Sequence, residues 1–460
     1  MTDSATTPQV ELDGGTFAFT LPDHWTKWIL FVLGGLLFIF GFVMSADPEF
    51  GGPVPAVSAI GCLLMLAACP TELAVKLAKI RAQMRPAAVK MRSDAGGVEL
   101  ESFWNSATVE RPSHDDRDWV FPAPPEDDWH LDSRYAADAD KELIPEHPNR
   151  VGTPRPPQFS NYGIFSVLAF LLLLWQASLL DWGRIPISSC NGCDMSTTTS
   201  GPHLAFYLIG ISVIWLGVSV FMWKRAQAMQ DTPTSNIRSM AVGTLELVGQ
   251  VRPWVEHPPT VAVDGDASKS VDDLSAWYWK YEIYRCRTVH YTDGEGNRRT
   301  REKCNWETIR RDSGATPFIL HDGTGGVFIS PDSFSRSEFG SHLVRWECRH
   351  DRRLKGLFTN LMFQGDVRRH RWTLWGLKLG DPCYLLGTAQ SRKDAALEEE
   401  GVDRTVQNTL LEVVGEDAPG FKARLERGTE LTALSGVRSQ VEYLIIPTLA
   451  LVTSILTLAG

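Results

Sequence analysis

Five runs of this chain, 28–46, 50–71, 156–180, 195–223 and 443–460, contain no Asp, Glu, Lys or Arg. No other feature limits the fold as strongly, because about 20 apolar residues at 1.5 Å rise cross the roughly 30 Å hydrocarbon core of a bilayer. The first run, Trp28 to Met44, is dense in Leu, Phe and Ile, with Trp25 and Trp28 placed as interfacial anchors. The second, about Val54 to Ala68, is short and rich in Ala and Gly. The third, Tyr162 to Leu180, and the fourth, Leu204 to Trp223, are strongly apolar. The fifth, Tyr443 to Leu458, is marginal in length and carries Pro447, which disturbs a helix. The pattern excludes a soluble enzyme and a collagenous or fully disordered chain. The first 24 residues are polar and acidic, which argues against a cleaved secretory signal. The expected class is a multi-pass α-helical membrane protein with about five spans.

Orientation follows the cations beside the spans. Lys76, Lys79, Arg81, Arg85, Lys90 and Arg92 follow the second span, Lys224 and Arg225 follow the fourth, and Arg424, Arg427 and Arg438 precede the fifth. Loop 47–53 has no cation and loop 182–202 has only Arg184. The N-terminal segment 1–27, residues 71–160 and residues 224–440 are therefore expected in the cytoplasm, with the tips of the two hairpins, 28–70 and 161–223, outside. The membrane is expected to be a plasma or inner membrane.

Residues 93–158 hold 15 Asp+Glu and 6 Lys+Arg, nearly all of the net charge of −10. This Pro-rich stretch lacks hydrophobic periodicity and reads as a mostly disordered acidic loop. Its Trp104, Trp119 and Trp129 open a second reading, a docking segment that folds when the indoles find a surface. Residues 236–440 balance 29 acidic against 29 basic residues. Nothing in that balance points to bulk nucleic-acid binding.

Segment 236–440 patterns as strands. Gly243 to Val251 alternates apolar and polar residues, and Trp277 to Cys286 is dense in the aromatics that favour sheets. Pro317 to Pro331 contains two short apolar strands around Asp322-Gly323 and Gly325-Gly326, residue types that tolerate the positive φ of a hairpin turn. A later strand, Pro382 to Thr388, follows the turn Leu379-Gly380-Asp381. Leu354, Leu357, Phe358 and Leu361 have helical spacing, and residues 341–380 carry 9 cations against 3 anions. Arg352, Arg353, Lys355, Arg368 and Arg369 are thus candidates for contact with an anionic leaflet, with a solvated basic face as the alternative.

Taken in order, Gly243-Thr-Leu-Glu-Leu-Val-Gly249, Trp277-Tyr278, Ala315 to Val327 and Trp372 to Gly387 resemble the GIDE family, also called the beside-a-membrane (BAM) domain. This domain occurs in MULAN-type ubiquitin ligases and in many prokaryotic membrane proteins. The resemblance covers about 240–440, and its marks are structural turns: Asp322, Gly323, Gly325, Gly326, Gly380 and Gly387. It implies a mainly β, barrel-like α+β domain between transmembrane helices. In the ubiquitin ligases a RING finger follows the second span, and a RING needs eight Cys/His ligands. No Cys or His lies between Tyr443 and Gly460.

The eight cysteines are scattered. Cys190-Asn-Gly-Cys193 lies in the outside loop, where a local disulfide is expected, with redox sensing or free thiols as alternatives. Cys286, Cys304, Cys348 and Cys383 occur singly in the β segment. The histidines form no spaced ligand cluster, and His350, among arginines, is expected to be solvated. No phosphate loop or nucleophile elbow is present, and no cofactor or catalytic residue is assigned. The functional expectation is a non-enzymatic membrane scaffold or sensor whose partners are the bilayer and a protein, with a homo-oligomer left open. The alternatives are a ubiquitin-ligase-like protein acting with a separate RING subunit and a gated pore-like effector.

Overall fold

A computed structural model of the chain describes residues 12–45, 54–84, 98–101, 107–112, 119–126, 129–179, 184–188, 198–232, 234–255, 258–292, 298–350, 366–418 and 421–459. These divide into two compact units. One holds 12–79, 153–231 and 434–459; the other holds 80–152 and 232–433.

The first unit is helical: α1 (Trp25–Ser45), α2 (Val54–Ala68), the larger part of α3 (Glu72–Met84), α4 (Asn161–Leu179), α5 (Leu204–Asp231) and α6 (Ile446–Ala459). Three stretches, Trp25–Met44, Val54–Met84 and Phe206–Lys224, are long and apolar enough to cross a membrane. Asn161–Gln176 and Val441–Thr457 are apolar but shorter. The small residues of α2 have a packing role. A Cβ on Gly61 would lie 2.5 Å from the carbonyl oxygen of Gly34, and one on Gly41 would lie 2.3 Å from Ser58 Oγ. Close backbone approach of this kind is how helices associate where lipid removes the hydrophobic drive between them. Ser58 Oγ donates to the Phe38 carbonyl (3.0 Å), and Gln176 Oε1 accepts from the Ala56 N–H (3.3 Å). Gln176 is thus an interhelical bond.

Pro447 has the local effect its ring demands. It has no N–H to donate into the preceding turn, and residues Val441–Ile445 just before it widen into a π turn. That turn presents Glu442, whose Oε1 accepts from Ser160 N–H (2.6 Å), Ser160 Oγ (2.7 Å) and Gly163 N–H (3.1 Å). A carboxylate at the start of α4 meets the free N–H groups that every helix N-terminus exposes.

The second unit is mostly β. Its main strands are β1 (Gly243–Arg252), β2 (Leu274–Thr292), β3 (Arg298–Ala315), β4 (Phe318–His321), β5 (Gly326–Ile329), β6 (Val344–Arg349), β7 (Asp366–Lys378), β8 (Pro382–Ser391), β9 (Leu411–Val414) and β10 (Arg424–Arg427), with shorter ones beside them. Five of them close a barrel: β1 pairs with β4, β4 with β5, β5 with β9, β9 with β8, and β8 returns to β1. The expected strands at 243–251 and 382–388 and the hairpin at 317–331 are all present. β4 and β5 are buried at every position. Side chains alternate along a strand, so Phe318, Leu320, Val327 and Ile329 share one face. Ile319 and Phe328 occupy the other, packed with Tyr135.

A six-stranded sheet runs β3-β2-β7-β6 and continues into Ala107–Pro112 and Val98–Glu101. Its core contains Trp279, Val344, Trp346 and Leu374 under Val261 and Val263. β2 and β3 form a long ribbon in which Cys286 lies directly opposite Cys304, and the two sulfurs are bonded. These cysteines, single in sequence, are a cross-strand disulfide because the hairpin register brings them together. Among the described residues Cys62, Cys69, Cys348 and Cys383 are free thiols.

Candidate functional site: a strapped barrel and its open pocket

The acidic stretch is not a solvated tether where it is described. Residues 119–126 and 129–151 form a strap laid on the outside of the barrel. Trp119, Val120 and Phe121 are buried, which excludes water from a large aromatic surface; such burial contributes roughly 2–3 kcal/mol for each big side chain. Trp119 Nε1 donates to the Gly380 carbonyl (3.0 Å), and Trp129 Nε1 donates to Gln250 Oε1 (3.2 Å). These two indoles therefore anchor on the chain's own barrel, while Trp104 lies outside the described residues.

Charged groups tie the strap down next. Arg252, at the end of β1, donates to both oxygens of Asp138 (2.7 and 2.9 Å). His321 Nε2 donates to the Ala136 carbonyl (2.8 Å), and its Nδ1 accepts from the Gly323 N–H (3.0 Å). Burial, and then Arg252, push the His321 pKa down to about 4, so its ring is neutral and holds one tautomer. Glu146 is fully buried: Oε1 accepts from the Val120 and Phe121 N–H groups, and Oε2 accepts from Thr429 Oγ1 (2.6 Å).

The turn residues marked by sequence turn out to be where the strap lands. Asp322 Oδ1 accepts from Thr324 N–H (2.8 Å), Thr324 Oγ1 (2.7 Å) and Gly325 N–H (3.2 Å), while Oδ2 accepts from Ile237 N–H (2.8 Å). Burial raises its pKa against the pull of those bonds. Its carbonyl accepts from Ile144 N–H, and the Gly323 carbonyl accepts from Asp138 N–H. Gly323 has φ +94°, and a Cβ there would sit 1.9 Å from the Glu142 carbonyl oxygen. A Cβ on Gly326 would sit 2.1 Å from the Arg134 carbonyl oxygen. Gly325 lies against Asn408 and Gly380 against the Trp129 ring, while Gly387 lets β8 and β9 close at Val413. The glycines serve backbone proximity as well as turn geometry.

A second cluster lies at Glu400, on the short helix Asp394–Glu400. Arg134 donates to its Oε1 through Nε (3.1 Å) and Nη2 (2.6 Å), Tyr135 Oη donates to the same oxygen (2.7 Å), and Arg392 bonds Oε2. Burial raises Glu400, but the bonds from Tyr135, Arg392 and Arg134 outweigh it and leave the pKa below the ordinary range. Arg392 also reaches Tyr135 Oη (3.0 Å) and lies over the Phe328 ring (4.5 Å). Beside this cluster opens a pocket of about 1160 Å³. Trp254 and Phe328 meet edge to face on its wall (5.0 Å between centroids), with Pro258, Pro259 and Pro317 beside them. Asp132, Glu399 and Glu412 bring carboxylates to it.

A third arrangement escaped sequence reading. Tyr281 Oη lies 2.7 Å from His370 Nδ1, and His370 Nε2 lies 2.7 Å from His350 Nδ1. His350 is thus hydrogen-bonded and half-buried. Tyr281, His370 and Trp372 stack, and Lys269 sits 4.5 Å over Trp372. Burial, and then His350, lower the His370 pKa to about 4. No local pattern announced this chain, because its members lie 20 and 89 residues apart and meet only through strand pairing.

Arg368 and Arg369 are exposed and paired, Arg368 with Glu302 and Arg369 with Glu347 (3.1 Å). Arg352, Arg353, Lys355 and the apolar positions 354–361 lie outside the described residues, as do Cys190 and Cys193. Among the described residues Cys286, Glu302 and Cys304 form the one group with metal-ligand proximity, and its two sulfurs are already bonded to each other. Comparison with protein-family models, curated proteins and solved structures returns no match to this chain.

Proposed function

We propose that the chain is a membrane-anchored scaffold or sensor, in which the strapped β module binds a partner protein and the apolar helices hold it at a bilayer. The observation that carries this reading is the barrel with its strap. Residues 119–126 and 129–151 are spent on fixing one outer face of the barrel, and beside that face the structure leaves a large pocket with exposed carboxylates. Rigid scaffolds that position an open, partly apolar concavity are the usual form of a binding site. The shorter helices α4 and α6 read as two further spans, for five in all. The distribution of Lys and Arg beside the helices supports a cytoplasmic β module. The turns at Asp322-Gly323 and Gly380 are the sequence marks on which the resemblance to a GIDE-like domain rests.

The test is photo-crosslinking in native membranes. A photoreactive amino acid at Val255, a half-exposed pocket residue, is expected to yield a discrete adduct with one partner. The same group at Val242, exposed and outside the pocket, is expected to yield none. Absence of an adduct at Val255, or equal adducts at both positions, overturns the reading.

A further inference from the structure

The pocket beside Glu400 has a definite chemical bias. Six charged side chains line it: Arg134, Arg392, Asp132, Glu399, Glu400 and Glu412. The cations are spent. Both guanidiniums converge on Glu400, and their remaining bonds go to Tyr135 Oη and to the carbonyls of Leu131 and Thr409. Glu400 is equally saturated by its three donors. The remaining acids are not. Among the described residues Asp132 and Glu399 are exposed with no ion-pair partner, and Glu412 has only a neutral one, Gln390 Nε2 at 2.8 Å. An anionic ligand would thus meet three carboxylates and no available cation, whereas a cationic one would find all three.

The apolar half of the pocket is set by register. Phe328 on β5 lies directly beside Glu412 on β9, which lies beside Gln390 on β8. An aromatic ring and a carboxylate therefore stand side by side on the outer surface of the barrel, with Trp254 edge-on to the ring. A concavity of about 1160 Å³ has room for several residues of a peptide.

We infer that this pocket docks a segment of a partner protein that presents an apolar side chain to Trp254, which Phe328 backs, and a Lys or Arg to Glu399, Glu412 and Asp132. The inference rests on the scaffold reading above and names its ligand class. Recognition divides in the usual way: Trp254, held by Phe328, contributes apolar contact area, and the three acids choose the sign of the ligand.

The experiment uses the full chain in phosphatidylcholine nanodiscs, with empty nanodiscs as the blank. Fluorescence anisotropy compares three labelled peptides of equal length, built from Leu with Lys, Leu with Glu, and Ser with Lys. The Leu/Lys peptide is expected to bind at least tenfold more tightly than either of the others. Trp254→Ala and the double change Glu399→Lys with Glu412→Lys are each expected to weaken it at least tenfold. Asp312→Lys, on β3 and outside the pocket, is expected to leave it unchanged. Should the double variant fold poorly, the single change at exposed Glu399→Gln is expected to weaken binding severalfold. Equal binding of the three peptides, or equal loss in the Asp312→Lys control, overturns the inference. An adduct at Val255 with no peptide preference sinks the ligand class alone; loss of both sinks the scaffold reading as well.

Discussion

The Arg252 guanidinium and the Asp138 carboxylate meet through two hydrogen bonds of 2.7 and 2.9 Å, although 114 residues separate them in the chain. Arg252 is almost wholly buried, and the pair joins the last residue of a barrel strand to the middle of the acidic strap. Removing one partner of such a pair leaves an uncompensated charge inside the protein. Asp138→Ala is expected to destabilise the β unit by about 3 kcal/mol and to release the strap. Faster proteolytic cleavage within residues 129–151, with a lowered melting temperature, checks this. Unchanged protease resistance counts against it.

Backbone proximity makes a separate prediction at the hairpin tip. Gly323→Ala puts a Cβ 1.9 Å from the Glu142 carbonyl oxygen at a φ of +94°. Gly401→Ala, at φ +67° with nothing within 4 Å, meets strain but no clash. The first is expected to cost several kcal/mol and the second about 1 kcal/mol. Chemical denaturation of the two variants separates them, and equal losses would show that the strap does not sit where the glycine allows it.

Glu146 gives the strap a pH dependence. Burial lifts its pKa from 4.5 to about 7, against the lowering pull of bonds from Thr429, Phe121 and Val120. A pKa raised by folding means that the folded form holds the proton more tightly. The contribution is fully present below pH 4.5 and is lost as pH rises through 7. Strap docking is expected to weaken by roughly 3 kcal/mol across that window. Glu146→Gln, which keeps an acceptor and carries no charge, is expected to flatten the profile. Hydrogen exchange at the Val120 and Phe121 amides at pH 5.5 and 8 measures it; identical profiles for the two proteins would refute the assignment.

The disulfide between Cys286 and Cys304 tests the proposed orientation. Such bonds persist in oxidising compartments and are reduced in a cytosol. With the β module facing the cytoplasm, acid quenching of whole cells followed by alkylation is expected to find both thiols reduced. Protein purified in air is expected to have them bonded. A pair already oxidised in the cell would place the module on the other side of the membrane. For the oxidised protein, Cys286→Ser is expected to lower stability by up to about 3 kcal/mol, given a sequence separation of 18.

Much of this architecture was legible in one dimension. Long uncharged runs can be satisfied only by helices in an apolar medium, so the helical stretches at Trp25–Met44 and Phe206–Lys224 follow from composition. Asp-Gly and Gly-Gly between short apolar runs specify a hairpin by local sterics, and the β4–β5 register obeys them. Pro447 announced its own disturbance of the last helix. The fate of the acidic stretch was decided elsewhere. Its composition argues for disorder, and only the barrel surface supplies what outweighs that: an Arg252 for Asp138, a Gly380 carbonyl for Trp119, and room at Gly323 for Glu142. The pairing of Cys286 with Cys304, the Tyr281–His370–His350 chain and the convergence of Arg134 and Arg392 on Glu400 were equally hidden. Each depends on strand register or on contacts across scores of residues, and long-range contacts of that kind leave no periodicity in the amino-acid order. Local chemistry set the elements; burial of charge and backbone against one particular surface decided which of them act together.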